Sequence, residues 1–143
     1  MNYLQTTSLT DQKISLNQLL SKLLPGFQQL AVDRKSFFIN DVPRNILVNT
    51  DNNIVASVLA DLLRIVSSKA DNSCIRISAK SFHDVILIHV KDNNGCNNYV
   101  LDANFFQVQP LADKIGGFID VTSQRKKATT IAFSFSNLPK QAA

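Results

Sequence analysis

Glycine is scarce in this sequence: four residues in 143, with four prolines, two cysteines, one methionine and no tryptophan. There is no Gly/Ser linker, low-complexity tract or internal repeat to divide the chain, and its length suits one compact domain. Cys74 and Cys96 lie far apart and form no Cys-x-x-Cys pair. Two such thiols cannot complete a zinc site, and they fit a reducing compartment. No apolar run approaches the ~20 residues that a membrane-spanning helix needs. The opening residues, Met1 to Thr7, lack the basic start and apolar stretch of a secretion signal. A cytoplasmic location without a membrane partner is the expectation.

What is present is ordinary for a globular domain: 45% hydrophobic and 18% charged residues. A domain of this length buries roughly two-thirds of the surface its unfolded chain exposes, enough for a sizeable core. The net charge of +4 and a pI near 9.2 are mildly basic, which suits an acidic partner or nucleic acid. The cations are scattered, however, and the one basic run, Arg125-Lys126-Lys127, reads as a solvated turn. Nucleic acid is therefore disfavoured.

Residues 1–14 are polar and expected to be loosely ordered. From there Leu16, Leu19, Leu20, Leu23, Leu24, Phe27 and Leu30 recur at helical spacing, with Ser15 as the cap. Pro25 should kink or split that helix, because its ring removes a backbone donor. Lys35–Asn40 and Ile46–Val48 read as short strands. Asn49-Thr50-Asp51 then caps a long helix carrying Ile54, Val58, Leu62, Ile65 and Val66, which ends between Ser68 and Asp71. Cys74–Lys80 and Val85–Val90 form a hairpin turning through Ser81 to Asp84. After a polar loop, Lys91 to Asn98, Pro110 should open a short helix over Leu111–Ile115, closed by Gly116-Gly117. Phe118–Val121 and Thr130–Phe135 make a second hairpin, turning at Gln124 to Lys127. Phe37, Phe38, Phe105, Phe106, Phe133 and Phe135 are expected in the core, with Phe105-Phe106 alternatively covering a helix interface. The pattern predicts an α+β fold: a two-layer sandwich whose mixed, mostly antiparallel sheet is covered on one face by helices.

Four local features, taken in order, resemble the ATP-binding domain of sensor histidine kinases, a Bergerat-type domain of the GHKL group, along nearly the whole stretch from Ser15 to Pro139. Asp51 and Val58-Leu59-Ala60-Asp61-Leu62-Leu63 resemble the helix bearing that family's Asn-Leu-Leu-x-Asn-Ala box. Val90-Lys91-Asp92-Asn93-Asn94-Gly95 resembles its Asp-x-Gly-x-Gly box. Leu111-Ala112 through Gly116-Gly117-Phe118-Ile119 is similar to the helix and strand after its second glycine box. Thr129-Thr130-Ile131-Ala132-Phe133, running to Leu138-Pro139, resembles its closing strand. The resemblance implies a domain over residues 15–139 and a short tail over 140–143.

It also implies where ATP and Mg²⁺ would sit, and the chain departs from the pattern there. Mg²⁺ wants oxygen ligands. The family's first box Asn falls on Asp61, and its second, which supplies a metal ligand, falls on Ile65. The first-box glycines fall on Asn94 and Cys96, with Gly95 out of phase. No Gly-x-Gly occurs between Cys96 and Ile115, and a third glycine pair is replaced near Lys126 to Thr129. Glycines let a backbone approach phosphates closely, so binding of Mg-ATP is expected to be lost or weak, with no catalytic residue and no metal site. The residues that would line a remnant adenine pocket are Asp61, Asp92, Asn94, Gly95 and Thr129, with Thr130 as the alternative to Thr129. Asp92 alternatively starts a polar turn after its strand, which Asp does for conformational reasons. Neither His83, in a hairpin turn, nor His89, on an apolar strand, sits on the helical hairpin that carries a kinase's phospho-accepting histidine. The expectation is a non-catalytic signalling module that binds a protein partner or a second copy of itself, with a divergent working ATPase or kinase as the alternative.

Overall fold

The computed structural model describes residues 13–94, 105–124 and 128–139. The elements run β1 (Ile14–Ser15), α1 (Leu16–Leu23), α2 (Gln28–Asp33), β2 (Phe37–Asn40), β3 (Leu47–Val48), α3 (Asn52–Lys69), β4 (Cys74–Phe82), β5 (Val85–Asp92), α4 (Val108–Asp113), β6 (Phe118–Gln124) and β7 (Ala128–Ser136). Five strands form one sheet in the order β2-β4-β5-β7-β6. β2 pairs parallel to β4, and every other neighbour is antiparallel. The mixed, mostly antiparallel α+β sandwich is as expected.

Local chemistry sets the helix boundaries. Ser15 accepts a bond from the Gln18 N–H and starts α1, whose buried face is Leu16, Leu19 and Leu20. At Pro25 the helix breaks into a single 3₁₀ turn, Leu24–Gly26, before α2 resumes. The break changes the helical register, so Leu30 does not continue the buried stripe and is 42% exposed. Asp51 caps α3 by accepting from the Asn53 and Ile54 N–H groups. Val55, Val58, Leu59, Leu62, Leu63, Ile65 and Val66 are all buried along α3, because the three other helices pack around it. Each such aliphatic side chain contributes roughly 1.5–3 kcal/mol on burial.

The β-strands alternate cleanly. Ile75, Ile77, Ile86, Ile88, Val90, Ile131, Phe133 and Phe135 face the helices and form the core. Arg76, Lys80, Lys91, Phe118 and Asp120 lie on the other face, exposed. Asn137 latches the end of β7 to two other segments. Its N–H donates to the Asp84 carbonyl, its Oδ1 accepts from the Asn49 N–H, and its amide donates to the Leu47 carbonyl.

Four expectations need correction. A second, two-stranded sheet joins β1 to β3, with Ile14 opposite Val48, so pairing begins inside the segment read as loose. Pro110 does not open its helix: α4 begins at Val108, after a 3₁₀ turn over Phe105–Gln107. Proline is tolerated there because the first N–H groups of a helix have no intrahelical acceptor. Phe37 and Phe106 are not core residues, being 56% and 64% exposed. Phe37 lies on an edge strand, and Phe106 packs edge-on against the ring of Phe105, which is buried, with its centroid 6.3 Å away. The loop around Cys96 and the turn residues Arg125 to Lys127 lie outside the described residues.

Candidate functional site

The strand ends nearest the C-terminus of α3 bring three of the expected site residues together. Asp92 closes β5 and stands directly opposite Thr129 of β7. Both face the helices and are buried, at 1% and 0% exposure. The register separates the two threonines: Thr130 pairs with Lys91 and lies on the opposite face. Across the β6–β7 hairpin, Thr129 Oγ1 lies 3.3 Å from Ser123 Oγ.

Asp92 is held by the chain itself. Its Oδ1 accepts from the Ser73 hydroxyl at 2.5 Å and from the Asn94 N–H at 3.1 Å. The second of these is the bond of an Asx turn, the conformational role of an aspartate that ends a strand. Ser73 is held in turn, its N–H donating to Ser36 Oγ at 3.0 Å. The Asn94 side chain donates to the Asp71 and Asn72 carbonyls at 3.0 and 2.9 Å, tying this turn to the α3–β4 connection. Ser73 and Ser36 were not among the expected site residues. The signal for Ser73 was the β4–β5 hairpin register, which sets Ile75 opposite Asp92 and so brings the residues just before β4 to that carboxylate.

Asp61 lies apart from this cluster in its contacts. Its carboxylate pairs with Arg64 on the next turn of α3 at 2.9 Å, and Arg64 also lies over the Phe27 ring. Ile65 is buried at 3% exposure within the α3 core. Its side chain is hydrocarbon and has no lone pair for a cation, so this position does not fit the metal-binding amide that the resemblance places there. Gly95 lies outside the described residues. No group of three or more His, Cys, Asp or Glu side chains that could hold a metal ion occurs among the described residues.

Two concavities lie elsewhere. A polar groove of about 600 Å³ sits by the β4–β5 turn, lined by Asn45, Asn49, Lys80, Ser81, His83 and Asn137 among others. This is the opposite end of the sheet from Asp92. An apolar notch of about 260 Å³ lies between the broken α1–α2 helix and β2, lined by Ser21, Leu24, Pro25, Gln28, Val32, Phe37 and Phe38.

A mixed five-stranded sheet with helices on one face defines a two-layer α+β sandwich. The fold is that of the catalytic domains of histidine kinases. The chain superposes on Acinetobacter baumannii histidine kinase AdeS with a TM-score of 0.77 at 14% identity, covering 88% of this chain and 66% of that one. For the catalytic domain of histidine kinase ThkA the TM-score is 0.73 at 14% identity, covering 90% and 96%. For mycobacterial sensor histidine kinase MprB it is 0.71 at 11% identity, covering 91% and 99%. No family model matches the sequence, and no curated protein does. Among the described residues no helix is long and apolar enough to cross a membrane.

Proposed function

We propose that this chain is a histidine-kinase-type ATPase fold kept as a non-catalytic, cytoplasmic signalling module, which binds another protein rather than Mg-ATP. One observation carries this reading: Ile65, at 3% exposure, fills with hydrocarbon the position where the resemblance puts the amide that ligates magnesium. A carboxylate or amide carries lone pairs for a cation; an isoleucine buried in the same cluster as Leu62, Leu63 and Val66 has none. The internal bonds of Asp92 and Asn94 support the same reading, because they show these side chains serving the turn itself.

The alternative, a divergent working ATPase or kinase, would use Asp61 and Asp92, and draws on the burial of Asp92 beside Thr129. Calorimetric titration of the protein with ATP and Mg²⁺ separates the two readings. The scaffold reading expects no binding tighter than roughly 100 μM, about −5.5 kcal/mol. Tighter, magnesium-dependent binding overturns it.

A further inference from the structure

The sheet ends in two edges, and the chain treats them differently. At the β6 edge, the Ile119 N–H donates to Gln109 Oε1 at 3.0 Å and the Val121 N–H to Asp120 Oδ1 at 2.9 Å. Side chains thus occupy the outward donors that another strand would need, a standard defence of a sheet edge. The other edge is β2, Phe37–Asn40, and among the described residues no strand pairs with its outer side.

Beside β2 lies the notch of about 260 Å³, lined mostly by carbon: Leu24, Pro25, Val32, Phe37 and Phe38. It follows from the Pro25 break, which ends α1 early and sets α2 at a new register. Its rim is exposed, with Val32 at 54% and Phe37 at 56%. Exposed apolar residues gathered at a concavity beside a free edge mark a docking surface rather than scattered surface carbon. The surrounding charge is net positive, since Asp41 at the end of β2 is paired with Arg76 at 3.2 Å. Lys22, Arg34 and Lys35 flank the lining residues in the sequence and are exposed. Arg34 Nε donates to the Ala70 carbonyl at 2.8 Å, and the carboxylate between these cations, Asp33, accepts from Gln29 at 2.8 Å.

We propose that β2 and this notch bind an extended, acidic segment of another protein, which adds a sixth strand outside β2 and seats one large apolar side chain in the notch. Main-chain pairing along an edge supplies affinity in this mode, and pockets for alternate side chains supply specificity. A strand of four residues spans about 13 Å, so four to six partner residues make the contact. The basic rim selects carboxylates on either side of the anchor. This names the surface and the partner chemistry for the protein-binding reading above, and it rests on that reading.

The test uses the full chain, ¹⁵N-labelled, and two synthetic seven-residue peptides. Each has a central phenylalanine between threonine and valine; one has two glutamates at each end and the other two lysines. The glutamate peptide is expected to shift the amides of Phe37 to Asn40, Val32 and Leu24 saturably, and to bind at least tenfold tighter than the lysine peptide. Val32→Asp, at an exposed position, should weaken it at least tenfold while thermal unfolding stays unchanged. No saturable shift, shifts at another surface, or equal binding of the two peptides overturns the proposal. So does concentration-dependent dimerisation in sedimentation that Val32→Asp abolishes, since the occupant is then a second copy. A parallel titration with Mg-ATP keeps the two readings apart: shifts along α3 would unseat the non-nucleotide reading and leave the β2 result standing.

Discussion

Asp92 and Thr129 face each other across the β5–β7 pair, both buried, and Asp92 spends its Oδ1 on Ser73 and Asn94. A buried carboxylate holding two donors is costly to remove, since hydrogen bonds to charged groups contribute about 1.5–3 kcal/mol and orphaned donors lose more. Asp92→Ala is expected to lower stability in urea unfolding by roughly 2–4 kcal/mol. Asp92→Asn keeps an acceptor for the Asx turn and should lose less than half of that. Equal losses for the two variants would mean that the turn does not depend on this oxygen.

Ile65→Asn restores the amide expected of the family at that position, but in a packed apolar setting. Burying an amide without partners costs about 1–3 kcal/mol by mutational measures, and losing the isoleucine adds to that. The variant should unfold at lower urea and still show no magnesium-dependent ATP binding by calorimetry, because the glycine-poor loops are unchanged. A gain of such binding would show that position 65 alone had silenced the site.

Lys35 holds a backbone φ of 56° just past the end of α2, where its N–H donates to the Val32 carbonyl and the Ser36 N–H to the Ala31 carbonyl. This is the helix-ending geometry that glycine adopts without strain. Lys35→Gly should raise stability by roughly 0.5–1 kcal/mol, measured as a higher thermal midpoint. A lower midpoint would show that the lysine side chain contributes more than its backbone costs.

Gly117 is needed for space rather than for its backbone angles. A Cβ there would lie 3.0 Å from the Ala112 carbonyl oxygen, 3.0 Å from the Phe133 ring and 3.1 Å from the Ser134 carbonyl oxygen. Two of these neighbours are backbone, so the clash cannot be relieved by a rotamer change. Gly117→Ala is expected to cost roughly 1–3 kcal/mol in chemical denaturation, whereas Gly26→Ala, with open space around it, should change little.

Much of the architecture was legible because it is periodic. The leucine spacing of α1, the Ser15 and Asp51 caps, the Pro25 break and the alternation of β4, β5 and β7 all follow from local rules. Non-local features were not. The two-residue strands β1 and β3 have no period to read, and the parallel β2–β4 pairing joins segments as far apart as Phe37 and Cys74. Pro110 misled because the first three positions of a helix all tolerate proline. At the site, the sequence named Asp92, Asn94 and Thr129 but not the serines that support them. Ser73 meets the carboxylate, and Ser36 meets Ser73, only once α3 has returned the chain to the sheet.

The three bonds made by Asn137 bear on how this domain can be cut. A truncation that stops at Ser136 would keep every residue of the five-stranded sheet yet release the tether on Leu47, Asn49 and the β4–β5 turn. The small β1–β3 ribbon, and with it the start of the first helix, would keep its own pairing and the bonds to Arg44 and Ile46 but lose its tie to the end of β7. Expression boundaries drawn by the last strand would give a frayed protein, and one further asparagine should cure it.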